Sequence, residues 1–228
     1  MSLDALLARS PWAALLTPPQ RQRVRDDLRE RVVPQGAYVS RKGQPADCWL
    51  GVAEGLVKVH CAAASGKRAT LTGVPAGGWL GEGSLLKREA RRYDVVALRD
   101  SRIACMPLAT FDWLLATSLP FNRYLITQLN ERLGHFIATV EHERMHGVEG
   151  RVARALAALF HPVLCPASAD ADAKTDASLH LTQEEVGLLA GISRQRANAA
   201  LKVLEDEGLL AVEHGVVHVL DLEALRRY

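Results

Sequence analysis

The residues best equipped for chemistry lie near the C-terminal end, in "LTQEEVGLLAGISRQRANAALKVLEDEGLL", residues 181–210. Thr182 with Glu185 three positions on is a capping box, which opens a short helix expected to reach Ala190. Gly191 can take the left-handed conformation that ends it. Ser193 then caps a second helix, from Arg194 to about Glu207. Val186, Ala190, Ile192, Ala197 and Ala200 are apolar or small where two helices crossing through a tight turn must touch, and Gly187 permits the close approach. This is a helix-turn-helix pattern. Its second helix exposes Arg194, Gln195, Asn198 and Lys202, with Arg196 beside them. Arginine can pair bidentately with guanine, glutamine and asparagine can do so with adenine, and the remaining basic groups can hold phosphates. The bland alternative is the solvated face of an ordinary helix pair, but the turn chemistry together with this side-chain set argues for a DNA reader. "EGLLAVEHGVVHVLD" follows as two short strands around His214-Gly215, a wing.

A second stretch invites a different chemistry. His142-Glu143-Arg144-Met145-His146 matches the zinc-protease pattern H-E-x-x-H, in which two histidines on one helix face hold zinc and the glutamate polarises its water. The extended form of that pattern fails, because Glu149 stands where a glycine is needed and no histidine stands at the third ligand position. The match reads as accidental. No catalytic or metal-ligating residue is assigned, and the chain is not read as an enzyme.

The elements that must position these residues change in texture along the 228-residue chain. Residues 3–30 read as short helices, with Pro18 and Pro19 suited to a helix start. From Val32 to Met106, short runs such as "GLVKVHC" and "YDVVAL" alternate with recurring glycines, the pattern of an antiparallel β-domain, a roll or barrel. Asn122, Ile126, Leu129, Leu133, Phe136 and Val140 are spaced as the a/d seam of a long helix, which suggests a dimer axis. Leu125 and Ile137 beside the seam suggest a second buried face. "RVARALAALF" after Gly150 is a further amphipathic helix, and "HPVLCPASADADAKTDASLH" reads as a loop or linker. The net charge of +2 is too mild to argue for nucleic acid by itself, so the DNA reading rests on the local patch. Cys48, Cys61, Cys105 and Cys165 have no C-x-x-C spacing and read as structural thiols. No signal peptide precedes an apolar run, and no stretch approaches the roughly 18 apolar residues of a membrane span, so the expected location is the cytoplasm and no membrane partner is expected.

With the helix-turn-helix segment and "GGWLGEGSLL…RRYDVVAL" on the page, the chain closely resembles the CRP/FNR superfamily of bacterial transcription regulators over nearly its whole length. The resemblance implies an α+β fold: an antiparallel β-roll of the cyclic-nucleotide-binding kind with N-terminal helices (residues 1–117), a dimerisation helix (118–147) and a winged-helix DNA-binding domain (148–228). It implies a homodimer on a palindromic double-stranded operator, with RNA polymerase as a further partner. The DNA contacts fall at Thr182, Ser193, Arg194, Gln195, Arg196, Asn198 and Lys202. A further base-reading arginine of cyclic-AMP-responsive members falls at Ala199, so the operator sequence does not transfer.

Gly77, Gly81 and Glu82 match the family's G-x-x-x-G-E, and Arg92 matches its phosphate-pocket arginine. The implied effector pocket comprises Gly81, Glu82, Gly83, Ser84, Arg92, Tyr93, Asp94, Arg132, Phe136 and Ile137. Two departures weigh against a cyclic nucleotide, the one cofactor the resemblance suggests. Tyr93-Asp94 replace the small residues that follow the pocket arginine, putting bulk and a carboxylate near an anion. Phe136 and Ile137 replace the groups that hydrogen-bond adenine. Two expectations therefore stand side by side: a regulator gated by some effector in the roll, and a regulator with a filled pocket that binds DNA without one.

Overall fold

The computed structural model describes residues 2–62, 68–145, 147–166, 177–213 and 216–228, without the side chains of residues 62, 68, 142–145 and 177–179. Three short helices lead the chain, α1 (Leu3–Arg9), α2 (Pro11–Ala14) and α3 (Pro18–Asp27). Eight strands follow: β1 (Arg29–Val33), β2 (Tyr38–Ser40), β3 (Cys48–Glu54), β4 (Leu56–Ala62), β5 (Arg68–Pro75), β6 (Trp79–Leu80), β7 (Asp94–Ala97) and β8 (Ser101–Pro107), with α4 (Glu82–Lys87) between β6 and β7. They form two four-stranded antiparallel sheets, ordered β1-β8-β3-β6 and β2-β7-β4-β5. This is the expected β-roll.

Side chains of β3 alternate between two cores, which is why the strand reads as one continuous apolar run. Leu50 and Val52 join Val57, Val59, Val95 and Ile103 inside the roll. Trp49 and Ala53 point the other way, into a cluster with Trp12, Trp79, Phe111 and Phe121 that fastens the N-terminal helices to the sheet. Within it the rings of Trp12 and Trp79 meet edge to face at 5.1 Å, a favoured aromatic geometry. Trp79 Nε1 donates to Ser10 Oγ at 2.9 Å, satisfying the indole's polar end.

After α5 (Leu108–Thr117) comes α6 (Leu119–Met145), 27 residues long and so about 40 Å from end to end. Phe121, Leu125 and Gln128 on one face are buried against the roll. The opposite stripe is open: Ile126, Leu133 and Val140 are 67%, 59% and 52% exposed, and Ile137 is 60% exposed. Ile137 was expected beside the seam on a buried second face; it belongs instead to the exposed stripe. Asn122 turns back, its Nδ2 donating to the Leu115 carbonyl at 2.9 Å.

The C-terminal unit comprises α7 (Val148–Ala158), β9 (Ala177–His180), α8 (Gln183–Ala190), α9 (Arg194–Asp206), β10 (Leu210–Glu213), β11 (Val216–Val219) and α10 (Leu222–Arg227). The sequence reading had treated residues 161–180 as a loop, but their end forms β9, and the wing is a three-stranded sheet ordered β10-β11-β9. A four-residue strand with no clear alternation becomes a strand because β11 supplies its hydrogen bonds, pairing Val217 with Leu179. Gly150 lies buried inside α7, and Gly147 caps that helix in extended conformation. His142 to Met145 are the last turn of α6, while their side chains and His146 lie outside the described residues. No helix among the described residues is long and apolar enough to cross a membrane.

Candidate nucleic-acid interface

Local sequence builds the reading head as expected. The Thr182 hydroxyl accepts from Glu185 N–H at 3.2 Å and the Glu185 carboxylate accepts from Thr182 N–H at 2.8 Å, closing the capping box of α8. Gly191, at φ +65°, ends that helix in the left-handed region. A Cβ on Gly187 would sit 3.0 Å from the Ile192 carbonyl, so glycine lets the turn fold back against α8. Ser193 caps α9, accepting from Arg196 N–H at 3.3 Å. Ala197, Ala200, Leu201 and Leu204 bury one face of α9 against α7 and α8.

The opposite face is left to solvent. Ser193, Arg194, Gln195, Arg196 and Lys202 are exposed on it, and Thr182 is exposed at the start of α8. Asn198 is half-buried, its Oδ1 accepting from Gln183 Nε2 at 2.6 Å. Gln183 thus takes up the oxygen of the Asn198 amide, a role no local pattern announces. The His214-Gly215 tip expected in the wing lies outside the described residues.

Two arginines that the sequence reading did not single out hold this head in place. Arg99, in the turn between β7 and β8, donates from Nε to Glu185 at 2.8 Å and from Nη2 to the His180 carbonyl. It therefore ties the roll to the capping box itself. Arg151 of α7 donates to the Ala190 carbonyl at 2.8 Å, at the C-terminal end of α8 where unpaired carbonyls collect. Leu56 and Leu98 of the roll pack into the same core as Val186 and Leu204, so the two units share apolar contact as well.

The expected effector-pocket residues do not all converge. Gly81, Glu82, Gly83 and Ser84 gather at the start of α4, where Glu82 is buried. Arg132 reaches across from α6, its Nε donating to Glu82 Oε1 and its Nη2 to the Trp79 carbonyl, both at 3.0 Å. Glu82 Oε2 is buried with no hydrogen-bond partner among the described residues. Tyr93 sits with them: burial first, and then the Glu82 charge, push its phenol above the ordinary range. Arg92 departs from expectation, projecting outward at 70% exposure with Glu89 at 3.7 Å. Asp94 departs too, since its partners are His60 at 3.6 Å and the Lys42 N–H at 2.8 Å. Phe136 stays on α6, its ring 5.7 Å from that of His135, and Ile137 faces solvent. The inward-turning arginine is Arg91, which donates to the Gly81 and Cys48 carbonyls. Shifting register by one residue along an extended segment swaps which side chain faces in, and the doublet Arg91-Arg92 carries no mark of which one does.

A roll of this type joined by one long helix to a winged helix-turn-helix defines a two-domain DNA-binding regulator. Comparison with known proteins agrees: residues 30–118 match the cyclic nucleotide-binding domain family and residues 150–228 match the Crp-like helix-turn-helix domain family. The chain belongs to the CRP/FNR superfamily of bacterial transcription regulators. It is 25% identical over 225 residues to a CRP-like cAMP-activated global transcriptional regulator of Mycobacterium tuberculosis, covering 99% of each chain. It is 27% identical over 200 residues to the cyclic AMP receptor protein of Thermus thermophilus, covering 87% of each. In fold it is similar to FixK2 from Bradyrhizobium japonicum, with a TM-score of 0.68 at 16% identity over 88% of this chain and 96% of that one.

Proposed function

We propose that the protein is a homodimeric, sequence-specific transcription regulator that lays α9 into the major groove of a palindromic operator. The observation carrying this reading is the solvent-facing set Arg194, Gln195, Arg196 and Lys202 on a helix whose other face is fully packed. The exposed stripe Ile126, Leu133 and Val140 supports the dimer, since apolar residues repeating at seam spacing along a helix need a partner. Thr182, Ser193 and the basic residues hold phosphates, Arg194 and Gln195 read base edges, and Asn198 offers its remaining donor to an acceptor edge. RNA polymerase is the downstream partner. Selection of random duplex DNA by the purified protein at fixed physiological salt tests this. A palindrome with half-sites one helical turn apart is expected; an intact dimer that enriches no motif under any condition would refute it.

Within that function, the roll favours a regulator that needs no cyclic nucleotide. Arg132 already neutralises Glu82, and Arg92 stands in solvent. One observation favours the effector-gated reading instead: Glu82 Oε2 is free to accept a hydroxyl, such as that of a ribose. The names of the mycobacterial and Thermus relatives, which invoke cyclic AMP, point the same way. Calorimetric titration with cyclic AMP separates the two. Absence of heat, with operator binding unchanged, is the expected result; saturable binding that tightens the operator complex supports gating.

A further inference from the structure

Antiparallel pairing sets Cys105 of β8 opposite Arg29 of β1 on one side and opposite Leu50 of β3 on the other. Cys48, two residues before Leu50, therefore lies diagonal to Cys105 on the same face of the sheet. Both thiols are half-buried. Both line a cavity of about 620 Å³, together with Arg29, Arg31 and Arg91 and the carboxylates of Glu30 and Asp47. Arg91 is buried, and its Nη2 stands 3.9 Å from Cys48 Sγ. None of the residues expected in the effector pocket lines this cavity.

We propose that Cys105 and Cys48 form a peroxide-reactive dithiol, a modification site in which Cys105 is oxidised first and Cys48 then condenses with it. A reactive cysteine needs an electropositive, accessible setting, and a reversible one needs a second thiol within reach. Both conditions meet here. The Cys105 thiolate attacks one oxygen of hydrogen peroxide; an S–O bond forms, the O–O bond breaks, and the departing hydroxide takes a proton to become water. Cys105 is then a sulfenic acid. The Cys48 sulfur attacks that sulfur, an S–S bond forms, the S–O bond breaks, and hydroxide leaves with the Cys48 proton as a second water. Two thiols and one peroxide become one disulfide and two waters.

The neighbours favour Cys105 as the first to react. The adjacent Cys48 thiol, with help from Arg31 and Arg91, holds the Cys105 pKa below the ordinary thiol value, against burial and Asp47; Cys105 and burial push Cys48 up. The diagonal placement requires the sulfurs to close in, and Cys48 can shift because it is the first residue of β3. Cys165, by contrast, is buried and pushed up to about 12.

The test exposes the native, reduced, full-length protein to equimolar hydrogen peroxide, then quenches with acid and maps the peptides by mass spectrometry. A Cys48–Cys105 cross-linked peptide is expected in the wild-type chain, which needs no substitution. In Cys48→Ser, where Arg31 and Arg91 still flank Cys105, dimedone should trap it as sulfenic acid at roughly three times the rate of half-buried Cys61 or faster. Cys105→Ser should abolish the cross-link. Absence of the cross-link in the wild-type chain, or labelling of Cys61 as fast as Cys105 in Cys48→Ser, overturns the proposal.

Discussion

At the scale of the residue, the consequences follow from what each side chain touches. Arg194 is exposed at the first position of a capped helix, with no hydrogen bond or ion pair among the described residues that competes with a base edge. Arg194→Ala should cost roughly 1–3 kcal/mol of specific operator binding and relax preference at one base position, measured by competition against variant duplexes. Equal affinity and an unchanged motif would sink its assignment as a base reader. His135 offers a pH handle. Burial first, then the charges of Arg154, His161 and Arg132, lower its pKa from 6.5 to about 4. The unfolded chain therefore binds the extra proton between those values, so the neutral imidazole's contribution is complete above pH 6.5 and is lost as pH falls towards 4. From pH 7 to 5 that loss is about 1–2 kcal/mol. His135→Gln should remove it, and thermal melts at both pH values would show a shallower drop than wild type. A variant melting with unchanged acid sensitivity rules His135 out as the source.

At the scale of the element, α6 and the Arg99 turn carry the arguments. One face of α6 serves the fold through Phe121, Leu125 and Gln128, while its other stripe stands exposed among the described residues. Leu133→Asp puts a charge in the middle of that stripe without touching the buried face. It should convert the protein to a monomer at micromolar concentration, read by sedimentation equilibrium, with an unaltered circular dichroism spectrum. A dimer that survives the substitution places the subunit contact elsewhere. Arg99 acts between elements. Its guanidinium satisfies Glu185, which is 8% exposed, and Arg99→Ala leaves that carboxylate buried beside only the capping-box groups. The docking of winged helix on roll should weaken by roughly 1–3 kcal/mol, seen as faster hydrogen exchange in residues 181–190 than in β3 or β8. Equal exchange would mean that apolar contact through Leu56 and Leu98 holds the units together unaided.

At the scale of the whole molecule, the proposed dimer has to present its two α9 helices about 34 Å apart to meet successive major grooves. The chain's small net charge means that phosphate attraction comes from the local face rather than a global field. The logarithm of operator affinity should still fall linearly with log salt; for roughly six to ten phosphate contacts the loss is about three to five powers of ten between 50 and 200 mM. A titration across that range checks it, and a nearly flat slope would contradict a reading head built on Arg194, Arg196 and Lys202. In this structure the winged helix also leans on the roll, through Arg99 and the Leu189 side chain packed over Gly73. Any change in the relative placement of roll and winged helix must part those contacts, so their strength sets how readily the reading heads reorient.

The sequence by itself determined everything built from local signals. The capping box at Thr182 and Glu185, the left-handed Gly191, the Ser193 cap and the seam along α6 depend on residues within four positions of one another. The hydrogen bonds and periodicities they encode are local physics. So too was the β-roll, whose turn glycines and short apolar runs lie in linear order. What only the tertiary structure decided depends on partners distant in the chain. β9 exists because β11 pairs with it. Arg91 rather than Arg92 turns inward because Gly81 and Cys48 offer carbonyls there. Arg99 finds Glu185, Gln183 finds Asn198, and Cys48 lies diagonal to Cys105 on neighbouring strands. Each of these long-range pairings joins side chains whose types are unremarkable in isolation. A charge or a thiol gains its role from the group that packing sets against it, and packing is a property of the whole chain.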